Sequence, residues 1–245
     1  MNIAIISGAS SGIGFALAKE IDTFGYDELW LISSSEEKLL KASKELKTKS
    51  RIFAFDLSKN DSFDVISTAL SEKKPNIMHL VCSAGVGYNG NFESITQEAA
   101  AKMIDINVRA LTTLTTIALP YIESHAKILL IASSAGFMPQ PSFAVYSATK
   151  AYVISFSRAL REELKKKKIA VTAVCPGPVD TPFFSGLENV KEYKKKYAIS
   201  PKKVAKKAIK ASKKNKALSV PTFSMKMVLL ASKIIPISII MKFYK

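Results

Sequence analysis

Ser7-Gly8-Ala9-Ser10-Ser11-Gly12-Ile13-Gly14 lies between a short apolar run, Ile3–Ser7, and a stretch of helical period, Gly12–Phe24. Glycine reaches positive φ without a side-chain clash and lets a backbone come close to a ligand. The first N–H groups and the dipole of a following helix then favour an anion. A glycine-rich turn between a first strand and a first helix therefore reads as a dinucleotide-phosphate loop in preference to a plain tight turn. Its spacing is G-x-x-x-G-x-G and differs from the standard G-x-G-x-x-G fingerprint.

The same alternation continues along the chain. Ile3–Ser7, Glu28–Ile32, Arg51–Phe55, Ile77–Cys82, Lys127–Ala132 and Ile169–Cys175 are short apolar runs, suited to strands buried on both faces. Gly12–Phe24, Glu36–Leu46, Asp61–Ser71, Thr96–Ser124, Ala144–Lys166 and Pro201–Lys216 suit helices, and Leu218–Val220 suits a last edge strand. This pattern predicts an α/β fold with one doubly wound parallel sheet of Rossmann type, about seven strands flanked by helices on both faces. No linker divides it, so residues 1–221 form one catalytic domain and 222–245 a tail, either part of that domain or interfacial. Ligands in such sheets bind beyond the carboxyl ends of the strands.

Composition bounds the rest. Of 245 residues, 48% are hydrophobic and 23% charged, a globular balance that argues against global disorder. Two cysteines, Cys82 and Cys175, lie in apolar runs and are expected to be reduced core thiols, not a disulfide scaffold. His79 and His125 lack clustered partners, so both read as structural and no metal is expected. Met1-Asn2-Ile3 enters a strand at once without a signal-like segment, which makes a cytoplasmic protein the expectation.

Tyr146-Ser147-Ala148-Thr149-Lys150 places a phenol and an ammonium four residues apart on one helix face. A fixed positive charge favours the phenolate and lowers a tyrosine pKa toward the working range. Ser133, thirteen residues before Tyr146, ends the preceding apolar run.

Together these motifs resemble the classical branch of the short-chain dehydrogenase/reductase family, from Ile3 to about Pro182. The resemblance implies a nicotinamide-dependent oxidoreductase interconverting a carbonyl and an alcohol. It implies that Gly8, Ser10, Ser11, Gly12, Ile13 and Gly14 hold the diphosphate, and that Asp56-Leu57 meets the adenine amine. Ser83-Ala84-Gly85 matches the family's Asn-Ala-Gly turn with Ser in place of Asn. Pro176-Gly177 with Val179 and Thr181 matches the segment that seats the nicotinamide.

By the same resemblance Asn107, Ser133, Tyr146 and Lys150 form the catalytic set. Ser133 and Tyr146 hydrogen-bond the substrate oxygen, Tyr146 donates a proton, and the cofactor supplies a hydride. Lys150 lowers the Tyr146 pKa and holds the nicotinamide ribose, while Asn107 orders a water that refills the proton through Lys150. NAD-specific relatives carry an acid at the end of strand two, whereas here that strand ends Ser33-Ser34-Ser35. A carboxylate would repel a 2′-phosphate, hydroxyls bond it and Lys38 adds charge, so NADP(H) is favoured over NAD(H). Relatives associate through the helices of Asn107 and Tyr146, implying a homodimer or homotetramer.

The C-terminal region is the least typical part. Residues 1–192 carry 21 Lys+Arg against 20 Asp+Glu, whereas 193–245 carry 15 Lys and no acid. Residues 181–200 fall where relatives carry a substrate lid. Met225–Met241 is apolar, interrupted by Lys226 and Lys233 and broken at Pro236, so it is a poor spanning helix. Two readings stand for it: a helix packed on the substrate pocket or another subunit, or an element peripheral at an anionic membrane. The second makes an apolar carbonyl substrate the expectation. A nicotinamide-binding sensor is the alternative from another class, but it needs no proton relay. An epimerase of the extended branch fits poorly with the chain length and the glycine spacing. A nucleic-acid partner is not expected, because the lysines lack interleaved arginines and a recognition motif.

Overall fold

The computed structural model describes residues 1–59, 61–185 and 197–242. Seven strands form one sheet: β1 (Asn2–Ser7), β2 (Glu28–Ser33), β3 (Ser50–Ala54), β4 (Asn76–Cys82), β5 (Ile122–Ile131), β6 (Ala170–Val174) and β7 (Leu218–Ser219). Their order is β3-β2-β1-β4-β5-β6-β7, and every pairing is parallel. The expected doubly wound sheet is the one found. Its order reverses between β1 and β4, where a crevice must open because the chain leaves β1 toward one side and returns on the other.

Both faces of the sheet are buried, which is why the strands read as continuous apolar runs. Successive side chains point to opposite faces. Ile3, Ile5, Trp30 and Ile32 enter one layer, where α3 (Asp61–Lys73), α5 (Leu111–Ala118) and α6 (Ala144–Glu163) supply Ile66, Leu114 and Val153. Ala4, Ile6, Leu29 and Leu31 enter the other, against α1 (Gly12–Ile21), α2 (Glu36–Lys44) and the helix Pro201–Lys213. Cys82 and Cys175 are free and buried. His79 is buried, bonded through Nδ1 to the Tyr26 hydroxyl at 2.7 Å, and burial pushes its pKa down to about 4.

One long helix is shorter than its periodicity suggests. Thr96–Ser124 reads as helical, but α4 (Gln97–Ile104), a π-helical segment (Asp105–Ala110) and α5 end at Ala118. Residues 119–121 tighten to a 3-10 turn and β5 begins at Ile122. Pro120 explains the stop, since proline lacks an N–H and restricts the residue before it.

Beyond β6 come α7 (Pro182–Ser185), α8 (Pro201–Lys213), α9 (Phe223–Ile234) and α10 (Ile237–Lys242). Thr222 caps α9 by accepting the Met225 N–H, and Ile235 is extended ahead of Pro236, as the pre-proline clash requires. Most of the expected lid, residues 186–196, lies outside the described residues; at its edges Val179 bridges Ile199.

Candidate active site

The carboxyl ends of β1 to β6 open into one cleft of about 1740 Å³. Pockets for a single drug-sized ligand span roughly 300–1,000 Å³, so this one has room for a dinucleotide and a second molecule.

At one end the first turn forms a cradle. Gly8 has φ +67°, and a Cβ there would stand 2.8 Å from the Ala84 nitrogen. A Cβ on Gly14 would run into the Gly8 carbonyl oxygen. Only glycines let this turn fold so tightly against α1. Ser11 caps α1 without a side-chain bond and the first turn holds no acid. Ser10, Ser11, Gly12 and Ile13 all line the cleft, so a helix N-terminus with its N–H donors faces it. A diphosphate fits this donor set.

Next to it, the Ser10 and Ser33 hydroxyls share a hydrogen bond of 2.8 Å, with Ser34 on the same wall. Ser35 caps α2 by accepting the Lys38 N–H, and the cleft wall does not include Lys38. Lys102 of α4 stands on the wall and contributes charge near Asp56. Burial would raise the Asp56 pKa, but hydrogen bonds from Ser58 and the Lys102 and Lys59 charges hold it below the ordinary carboxylate value. The turn after β4 is held by Ser7, whose hydroxyl oxygen accepts the Ser83 and Ala84 N–H groups at 3.0 and 3.2 Å. Ser7 thus closes this turn without an asparagine amide at position 83.

At the other end α6 carries Tyr146 and Lys150 one turn apart, both on the cleft wall. Ser133 follows β5, its oxygen accepting the Ala135 N–H at 3.1 Å. Lys150 Nζ donates to the Ile131 carbonyl at 3.0 Å and lies 5.5 Å from the Tyr146 ring centroid. The tyrosine ring stacks on Phe143, centroids 4.3 Å apart, and meets Phe183 at 5.6 Å.

This packing decides the titration. Burial pushes the Tyr146 phenol up to about 12, against a lowering hydrogen bond with Ser133. Burial also pushes the Lys150 ammonium down to about 8, opposed by the nearby Cys175. Desolvation of the phenol in this wall outweighs the lowering bond with Ser133.

Asn107 is placed differently from the others. It lies in the π-helical segment, fully buried and off the cleft wall. Its Oδ1 accepts the Val86 N–H, and its Nδ2 donates to the Val86 carbonyl and to Thr149 Oγ1. These bonds tie the segment after β4 to α6. Asn107→Ala is expected to destabilise the protein by about 2 kcal/mol, because Val86 loses both partners. A lowered denaturant midpoint at unchanged m would show it.

Apart from Lys38, the other site residues named from the sequence line this one cleft: Gly8, Ser10 to Gly14, Ser33, Ser34, Asp56, Leu57, Ser83 to Gly85, Ser133, Tyr146, Lys150, Pro176, Gly177, Val179 and Thr181. Several wall residues were not named. Phe143 stacks on the tyrosine and Phe183 meets it at a tilt, and Phe143 was detectable as an aromatic one helical turn before it. Met225, Val228, Ile235 and Ile239 reach the cleft from the tail. Of the two readings of that tail, α9 packs on the site, touching the turn at Ser134–Phe137.

A model of the family described as short chain dehydrogenase matches residues 2–192. An uncharacterized oxidoreductase of Staphylococcus epidermidis is 31% identical over 188 residues, covering 76% of this chain and 81% of its own. The very-long-chain 3-oxoacyl-CoA reductase of Mus musculus is 37% identical over 188 residues, which cover 73% of this chain but 59% of the mouse protein. The solved short-chain dehydrogenase from Sphingobium yanoikuyae in complex with NADPH superposes with a TM-score of 0.82 at 24% identity. That match covers 95% of this chain and 93% of the other and is a likeness of fold. The chain belongs to the short-chain dehydrogenase family and is a nicotinamide-dependent oxidoreductase of carbonyl and alcohol groups.

Proposed function

We propose that this protein reduces the carbonyl of an apolar small molecule with NADPH, using Tyr146 as the proton donor. The observation that carries the reading is the grouping of Ser133, Tyr146 and Lys150 on one wall of a cleft whose other end is the glycine cradle. The Ser133 and Tyr146 hydroxyls hold the carbonyl oxygen and draw charge onto it. NADPH, when bound, supplies the hydride to the carbonyl carbon. Tyr146, with its pKa raised to about 12, keeps its proton at neutral pH and enters reduction as the acid. Lys150, lowered to about 8, exchanges a proton near neutrality and is suited to resupply the phenol. Asn107 acts as a positioning residue that anchors the walls on either side of Lys150. Its Oδ1 accepts the Val86 N–H and keeps a second lone pair that can accept a bond from a relay water.

Apolar lining by Val86, Met138, Phe143, Phe183, Met225 and Val228 supports an apolar substrate, in keeping with the name of the mouse relative. Residues 1–221 then form the catalytic domain, and the tail 222–245 belongs to it through Met225, Val228, Ile235 and Ile239 on the substrate wall. NADPH is supported by the Ser10–Ser33 hydroxyl pair and by the lack of a carboxylate at the end of β2. Ser33→Asp tests that choice. A carboxylate a few ångströms from a 2′-phosphate is expected to lower the NADPH-over-NADH preference by about 100-fold, read as the ratio of kcat/KM values. An unchanged ratio would move the phosphate site elsewhere.

The reading includes a homodimer or homotetramer in the cytoplasm with peripheral contact to an anionic membrane, and no nucleic-acid partner. No helix among the described residues is long and apolar enough to cross a membrane. The function itself is tested by following NADPH and NADH absorbance with a panel of ketones and aldehydes graded in apolar size. Consumption that rises with apolar size is expected. Oxidation of neither cofactor by any carbonyl would overturn the reading.

A further inference from the structure

We infer that α9 and α10 dock on an anionic bilayer, with one face on the membrane and the other forming the wall of the substrate cleft. Met225 and Val228 line the cleft from one side of α9. Phe223, Met227, Leu230 and Ile234 recur at i, i+4, i+7 and i+11, which places them on a single stripe. At about 100° per residue that stripe lies on the side away from Met225 and Val228. It is open: Phe223 is 76% and Ile234 70% exposed. Ile237 of α10 extends the exposed surface. A helix with two apolar faces, one used and one bare, needs a second apolar medium.

Charge selects that medium. Lys226 and Lys233, seven residues apart, lie together on one flank of α9 beside the bare stripe, and both are exposed. Long lysine side chains at the border of an apolar face extend into the headgroup layer while the apolar groups sink below it. In sequence, residues 193–245 carry 15 Lys and no acid, which complements an anionic lipid surface and opposes self-association through the same face. With 12 residues, α9 lies in the interface and does not cross it.

Ile235 and Ile239 join the two faces. Both line the cleft, yet they are 40% and 46% exposed, so they form an apolar rim between the cleft mouth and the bare stripe. Docked this way, the cleft takes an apolar carbonyl from the bilayer past this rim, a route that rests on the proposed reduction of such a carbonyl.

Flotation of the full chain with vesicles tests the docking. The protein is expected to float with phosphatidylcholine mixed with phosphatidylglycerol, poorly with phosphatidylcholine alone, and less as salt rises. Phe223→Gln with Ile234→Gln should weaken partitioning by about tenfold or more, and Lys226→Gln with Lys233→Gln by about fivefold per lysine. NADPH binding should be unchanged in both pairs, which shows that they fold. Equal flotation of the wild type and the stripe pair overturns the docking, as does a wild type that ignores anionic vesicles. So does a stripe pair whose only change is a smaller oligomer, since the stripe would then join two copies of this chain. The route is read with a water-soluble ketone and a long-chain dialkyl ketone held in the vesicles. The stripe pair should lose turnover of the second alone. Equal loss of both overturns the route, whereas no wild-type turnover of either counts against the proposed reduction and leaves the flotation result standing.

Discussion

Tyr146→Phe is expected to lower carbonyl reduction by about 1,000-fold, the scale of a lost general acid, while NADPH binding stays within about twofold of the wild type. The ring remains, so its stacking on Phe143 and its contact with Phe183 survive. Only the hydroxyl is removed, and with it the hydrogen bond to Ser133. Single-turnover measurements with saturating NADPH separate the two effects: hydride transfer should slow while cofactor affinity holds. Turnover near the wild-type value would show that the proton comes from elsewhere and would remove Tyr146 from the mechanism. The hydroxyl stays protonated in both states below pH 10, so the stability difference there should be independent of pH and about 1 kcal/mol, the scale of the lost Ser133 bond.

Lys150→Met should produce the second large effect, with opposite signs on activity and stability. Activity is expected to drop by about 100-fold, since the charge beside the tyrosine and the proton source behind it go together. Stability follows the titration. The Lys150 pKa is about 8 in the folded protein against 10.5 for an ordinary lysine, so between these values the unfolded chain binds more protons. Wild-type stability therefore rises with pH across that window. Below pH 8 both states are protonated and the full penalty of burying the ammonium is present. The interval corresponds to about 3 kcal/mol. Lys150→Met lacks this term, so its stability relative to the wild type should be greatest below pH 8 and fall by about 3 kcal/mol as pH rises to 10.5. The Ile131 carbonyl loses its partner in the variant at every pH and cancels from that difference. Denaturant titrations of both proteins across the window supply the measurement, and parallel curves would show that burial does not depress this lysine. A loss of activity together with a gain of stability below pH 8 would be the form a stability–activity conflict takes.

The sheet was legible because its causes are local. A run such as Ile3–Ser7 is apolar on both alternations, so it is buried on both faces wherever it sits. Gly8 and Gly14 mark a turn that no other residue could make, and Pro120 stops a helix for reasons that lie in its own ring, although periodicity alone ran the helix past it. Because each strand ends at the same edge of a parallel sheet, residues that follow strands must converge. Ser33, Asp56, Ser83, Ser133 and Pro176 therefore met in one cleft from a reading of order alone.

What the sequence by itself determined is thus the parallel sheet, the glycine turn after β1 and the pairing of Tyr146 with Lys150, since helical periodicity, turn chemistry and strand order are properties of neighbouring residues. Only the tertiary structure decided how those two groups titrate. Their pKa values depend on water excluded by Phe143, Phe183 and the end of β5, and desolvation is set by the whole enclosure. The same holds for Asn107, whose amide is engaged by Val86 and Thr149, 21 and 42 residues distant. It holds also for the tail. Its periodicity shows two apolar faces, but only packing against the turn at Ser134–Phe137 decides which one closes the site and which is left bare.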